Sequence, residues 1–163
     1  MCCKKATSSI DCIITGVTTK RSNYMVFWLI KTEPDEWSWN QQKNCGNKGA
    51  EWNGVRNFQA SNNLKEMKLG DKCLFYHTGN VKSIVGIAEV IKEAFLDKTD
   101  ISGKFVSVKI KALYPLKKQV SLYEIKKNNV FKDFALVKQS RLSVMKVSLK
   151  YWKKICKMGK VKI

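Results

Sequence analysis

Four short polar stretches hold the residues of this chain that could do chemistry. They are Lys31-Thr32-Glu33-Pro34, Trp52-Asn53-Gly54-Val55-Arg56-Asn57, Tyr76-His77-Thr78 and Gln139-Ser140-Arg141-Leu142-Ser143. Each falls where an element of regular structure is expected to end or begin, and there backbone N–H groups and side chains converge on ligands. The second stretch raises the sharpest question. It places a large aromatic, a glycine and an arginine in a short connection just ahead of a helix start. Such a loop is either held there by packing or lines a site for something flat and polar.

Taken singly, these residues leave alternatives open. His77 is the only histidine. As a catalytic base it would need an adjacent nucleophile and an orienting carboxylate, and a lone histidine at a strand end more commonly serves as a structural hydrogen-bonder. Arg56 and Arg141 stand out because the chain has three arginines against twenty-eight lysines. A guanidinium offers a planar fork to a carboxylate, phosphate or base edge that lysine cannot mimic. The alternative is an ion pair, with Glu33 as a candidate partner for the arginine. Trp52 could stack on a base or belong to the core. Trp28, Trp37, Trp39 and Trp152 read as packing residues.

Charge narrows the class of partner. The formal charge is +18, and it is unevenly spread. Residues 25–103 balance to zero, whereas residues 104–163 carry seventeen basic side chains against Glu124 and Asp133 alone. A neutral front and a basic back suggest a polyanionic partner, nucleic acid above all, because lysines at phosphates release condensed counterions. A lysine-rich but merely solvated face is the competing account. The six cysteines have no CxxC spacing and a single histidine cannot complete a Cys/His zinc site. No metal or organic cofactor is implied. Free thiols suit a reducing intracellular compartment, cytoplasmic or, in a eukaryotic cell, nuclear. Neither a transmembrane run nor a convincing signal core is present, so no membrane partner is expected. GxxxxGK and GxGxxG motifs are absent, which argues against nucleotide-hydrolysing and dinucleotide-binding folds.

The elements that must position these residues follow from hydrophobic pattern and cap chemistry. Residues 1–24 have no clear period and read as a leader, disordered or a mis-assigned start, with Met25 opening a single domain over 25–163. Strands are expected at 25–31, 72–78, 84–95, 104–114 and 141–147. Tyr114-Pro115 is expected to end the fourth. Ser38 with Gln41, and Ser121 with Glu124, have capping-box spacing. Asn57 is the expected cap of a helix burying Ala60, Leu64 and Met67 and stopped at Gly70. Ser148 caps a last helix with Leu149, Trp152, Ile155 and Cys156 on one stripe. About five strands and four short helices, without a repeated β-α-β unit, make an α+β fold built on a curved sheet or small barrel.

The blocks "FWLIKTEPDEWSW", "WNGVRNFQASNNLKEMKLGD", "LFYHTGN…IVGIAEVIKEAF" and "LVKQSRLSVMKVSLKYWKKI", in this order, resemble the EVE domain family of the PUA-like superfamily, related to YTH and ASCH domains. The resemblance covers Met25 to Ile155. It implies a twisted, partly closed β-barrel of five or six strands with short helices around it. It also implies a non-enzymatic reader that takes a modified, flipped-out or single-stranded nucleobase of DNA or RNA into a pocket. The wall would be Lys31, Thr32, Trp52, Asn53, Gly54, Val55, Arg56, Asn57, Tyr76, His77, Gln139, Ser140, Arg141, Leu142 and Ser143. Gly54 would let the backbone approach the ligand. Thr32 stands where the family usually has serine, and Lys146 where it usually has proline, which puts the start of the last helix in doubt. The alternative is an ASCH-like hydrolase of a modified nucleoside, with Lys31, Thr32, Glu33 and His77 as the reactive cluster. A scaffold with an incidental basic face is a third reading. A monomer is expected.

Overall fold

The computed structural model describes residues 25–162; the expected leader, with Cys2, Cys3 and Cys12, lies outside the described residues. Six strands form one mixed sheet: β1 Phe27–Thr32, β2 Ala50–Trp52, β3 Lys72–His77, β4 Ser83–Leu96, β5 Val106–Ser121 and β6 Val144–Val147. Their order is β2-β5-β4-β3-β1-β6, with β1 parallel to β3 and every other pair antiparallel. The edges β2 and β6 do not pair, so the curved sheet is not a closed barrel. Short helices flank it: α1 Trp39–Asn44, α2 Phe58–Glu66, α3 Leu122–Lys127, α4 Ala135–Lys138 and α5 Leu149–Met158. The α+β expectation is met.

The caps form as their spacing implies. Ser38 and Gln41 satisfy each other's backbone N–H groups at the start of α1, and Ser121 and Glu124 do the same for α3. Asn57 caps α2 through its side-chain oxygen on the Ala60 N–H, and Ser148 caps α5 on the Tyr151 N–H. Lys146, in β6, pairs with Glu66, so the lysine in the usual proline position leaves α5 with a well-formed start.

Five expectations need correction. β5 continues through Pro115 to Ser121 instead of stopping at Tyr114. Pro115 sits opposite Gly86 at a register shift, and β2 pairs with β5 only at Val108–Ile110, so the missing N–H costs little there. β6 begins at Val144, leaving residues 139–143 irregular. β2 and α4 were too short to show a period. α2 ends at Glu66, with Met67 already extended, before Gly70 is reached. Leu149 is 52% exposed, because the α5 stripe that meets the sheet is Trp152, Ile155 and Cys156 alone.

The sheet separates two cores. Parallel register pairs Ile30 with Phe75, whose side chains therefore share a face. On it Phe75 meets Trp39 and Trp52 edge-on, at 5.2 and 5.5 Å between ring centroids. Phe27, three residues before Ile30, lies on the opposite face and stacks on Trp152 of α5 at 4.3 Å. Cys73 and Cys156 are both core residues. Buried Asp71 fastens the entry to β1 by accepting the Trp28 Nε1–H at 2.8 Å and the Val26 and Lys68 N–H groups. Trp39 packs over Gly86 so closely that a Cβ there would lie 2.3 Å from its indole.

Candidate functional site

The carboxyl end of β1, the turn that follows it, the β2–α2 connection and Ser143 surround a cleft of about 570 Å³. It is lined by Lys31, Thr32, Glu36, Trp37, Glu51, Trp52, Asn53, Gly54, Val55, Arg56, Asn57 and Ser143. That volume falls in the range of small-molecule sites. A shallower hollow of about 380 Å³ adjoins it across Asn57, walled by Gln59, Lys138, Gln139, Ser140, Arg141 and Leu142. Three of the four polar stretches thus reach the surface of two neighbouring depressions.

The third does not. Tyr76 and His77 pair in register with Lys31 and Thr32, yet both are buried and line neither depression. His77 accepts the Trp39 N–H on Nε2 at 3.1 Å, and burial lowers its pKa from the ordinary 6.5. Burial pushes the Tyr76 phenol up to about 12. These residues support the floor. Of the residues named for hydrolysis, Lys31 and Thr32 border the cleft, whereas buried His77 lines neither depression and uses Nε2 to accept the Trp39 N–H.

Arg56 is tied to Asp97 and not to Glu33, whose backbone carbonyl instead shapes the turn at Glu36 and Trp37. Its Nη1 donates to Asp97 Oδ2 at 2.7 Å and its Nη2 to Thr99 Oγ1 at 2.8 Å, with the guanidinium lying over the Phe105 ring. Asp97 is fully buried at its side chain and also accepts the Gly54 N–H and two hydrogen bonds from Thr99. Burial alone would push this carboxyl up, but hydrogen bonds from Arg56, Thr99 and Gly54 hold it well below the usual carboxylate range. Gly54 has φ +77°, and nothing crowds the place of a Cβ. The glycine serves the left-handed turn that aims its N–H at Asp97.

Lys31 joins the first stretch to the fourth. Its N–H donates to the Ser143 carbonyl, and its ammonium to the Ser140 and Gln139 carbonyls at 3.0 and 3.5 Å. Partial burial lowers its pKa to about 8. Two aromatic rings border the space. Trp52 is only 7% exposed and is chiefly a core residue. Trp37 is half-buried, and its Nε1–H is held by Gln42 Oε1 at 2.9 Å while Gln42 Nε2 donates to the Ile110 carbonyl. Trp37, Glu36, Glu51 and the organising Asp97 are what the sequence reading missed. The signal for Trp37 was its place three residues after Pro34, in the turn that follows the first strand, although its ring also packs against the core. Asn53 and Arg141 make no hydrogen bond among the described residues, and Asn57 has only its oxygen committed.

The EVE domain family model matches residues 26–158. Thymocyte nuclear protein 1 of zebrafish is 31% identical over 150 residues, covering 72% of this chain and 64% of that protein. The chain spans between about a third and two-thirds of the length of the first curated relatives it matches. A solved structure from Rhodopseudomonas palustris is 49% identical and superposes with a TM-score of 0.79 over 83% of this chain and 94% of that one. Human THYN1 in complex with 5-methylcytosine-containing DNA is 24% identical, with a TM-score of 0.74 over 85% and 99% of the two chains. A YTH domain from Zygosaccharomyces rouxii, solved with N6-methyladenosine RNA, shares the fold at 19% identity and a TM-score of 0.53, covering 86% and 90%.

Proposed function

The chain belongs to the EVE domain family, and we propose that it is a nucleic-acid reader that takes a modified base into the cleft between β1, the β2–α2 loop and Ser143. One observation carries this reading. The cleft combines a half-buried indole, Trp37, with a rim of fixed polar groups on a loop locked by buried Asp97. A planar base stacks on Trp37, an interaction worth about 1–3 kcal/mol. Asn53, the Asn57 amide and the third ammonium proton of Lys31 meet its polar edge. Little reorganisation is needed, because the loop is already held. Extrusion from a duplex costs a few kcal/mol, least at weakened or single-stranded sites, which favours bases that are already easy to unstack.

The human relative's complex with 5-methylcytosine-containing DNA makes methylated cytosine the first ligand to try. Hydrolysis is disfavoured by the burial of His77 against α1. The test is to fill or strip the cleft. Ser143→Trp, placed on its wall, abolishes capture of 5-methyl-2′-deoxycytidine or another methylated nucleoside while the fold persists by circular dichroism. Unchanged nucleoside binding in both Ser143→Trp and Trp37→Ala would place the ligand elsewhere.

A further inference from the structure

The β4–β5 turn, Asp97 to Phe105, is built to hold an exposed apolar tip. Ile101 at its apex is 105% exposed, as bare as an isoleucine can be. Exposed hydrophobic residues are ordinarily found on mobile or incidental surface, but this turn is braced from within. Asp97 accepts the Thr99 N–H and hydroxyl, and Asp100 accepts from Ser102 N, Ser102 Oγ, Lys104 N and Phe105 N. Those contacts draw the Asp100 carboxyl down to about 2.

The turn is also fastened to the cleft. Asp97 and Thr99 are the two side-chain hydrogen-bond partners of Arg56, and Asp97 holds the Gly54 N–H, so the apex is two residues, at most about 7 Å of chain, from groups that hold the rim. Exposed Phe58 packs on Phe105 beside the same arginine, extending the apolar surface toward α2. Lys98, which lies 3.9 Å from Glu51 in an exposed ion pair, and Lys104 flank the apex and are both exposed. An apolar point between two lysines, beside a base-sized cleft, has the chemistry of a side chain that enters a base stack while cations meet the phosphates on either side.

We propose that Ile101 is a wedge that occupies the place a base leaves when it moves from a duplex into the cleft. This rests on the base-reading function above and adds to it how the duplex is opened. Burying the side chain between base pairs contributes on the order of the transfer free energy of an isoleucine, against an unstacking cost of a few kcal/mol. Contacts to free nucleosides and single strands do not involve it.

The experiment compares wild type, Ile101→Ser and Ile101→Leu on three probes. They are free 5-methyl-2′-deoxycytidine, a single strand containing one 5-methylcytosine, and the same strand in a duplex with 2-aminopurine next to the methylated base. Wild type is expected to bind all three and to brighten the 2-aminopurine. Ile101→Ser is expected to lose the brightening and roughly tenfold or more in duplex affinity, and to keep nucleoside and single-strand affinity. Ile101→Leu is expected to restore both. Duplex binding and brightening unchanged in Ile101→Ser would overturn the wedge, as would a wild type that binds the nucleoside but never the duplex. A wild type that binds none of the probes removes the base-reading function for this modification, and the wedge with it. Because Ile101 is wholly exposed, its replacement leaves stability intact.

Discussion

Trp37, Arg56, Lys31 and His77 illustrate how burial and partners decide what a side chain can do. Trp37 is oriented by Gln42, itself fully buried and anchored on Ile110. Trp37→Ala should therefore weaken nucleoside binding by about 1–3 kcal/mol, read by calorimetric titration, and should also lower the melting temperature, because it leaves the buried Gln42 Oε1 without its donor. Arg56 acts oppositely. Its guanidinium is engaged with Asp97 and Thr99, so Asp97→Ala should destabilise the protein by about 2–3 kcal/mol in urea unfolding, since it orphans Gly54 and Arg56 together. Lys31 gives the site a pH signature. With its pKa lowered to about 8, the ammonium persists at neutral pH and is lost above that value. Affinity that depends on its charge should fall as pH rises past 8, while stability gains slightly between 8 and the ordinary lysine value, where only the unfolded chain still holds the proton. His77 gives stability the same sign of pH dependence, rising with pH, in a lower window. Its folded-state pKa lies below 6.5, so its contribution is complete above that pH and is lost on acidification, as protonation of Nε2 breaks the bond from Trp39.

Helices, strands and turns reach the same arrangement through local and non-local rules. Gly86→Ala tests the close layer between α1 and the sheet: with a Cβ 2.3 Å from the Trp39 indole, a loss of about 1–3 kcal/mol or more is expected in thermal unfolding, and no change would mean that α1 can lift freely. The capping boxes at Ser38 and Ser121 and the caps at Asn57 and Ser148 were readable in the sequence because each involves residues three apart. β2 was not readable, since three residues carry no period and its existence depends on pairing with Val108–Ile110, more than fifty residues on. The passage of β5 through Pro115 was hidden for a related reason: whether a proline is tolerated depends on which neighbour flanks that part of the strand. At the site, position at element ends picked out Lys31, Thr32, the Trp52–Asn57 loop and Ser143. It could not separate Tyr76 and His77, whose strand partners line the cleft while they do not. Nor could it find Asp97, which is 41 residues from Arg56 and in a hairpin turn that looks like ordinary loop sequence.

Across the whole molecule, basic residues lie both on the helices and at the edge of the cleft, where Lys138 and Arg141 wall the adjoining hollow. The helices α3 and α5 carry exposed lysines, Lys126, Lys127, Lys150, Lys153 and Lys157 among them. The two acids of residues 104–163 are already engaged, Glu124 with Lys118 and Asp133 with Lys138. Binding to unmodified strands should accordingly fall steeply with salt, and Lys150→Glu with Lys153→Glu should reduce that slope without altering affinity for a free nucleoside. No helix among the described residues is long and apolar enough to cross a membrane. The central claim is that the cleft itself recognises a base, independently of the phosphates. It is tested most directly by titrating the protein's tryptophan fluorescence with free methylated nucleosides, each beside its unmethylated counterpart, at low and high salt. The account predicts saturable quenching by one methylated nucleoside, lost in Trp37→Ala and nearly indifferent to salt. Binding confined to strands and abolished by salt, with no free nucleoside bound, would contradict it.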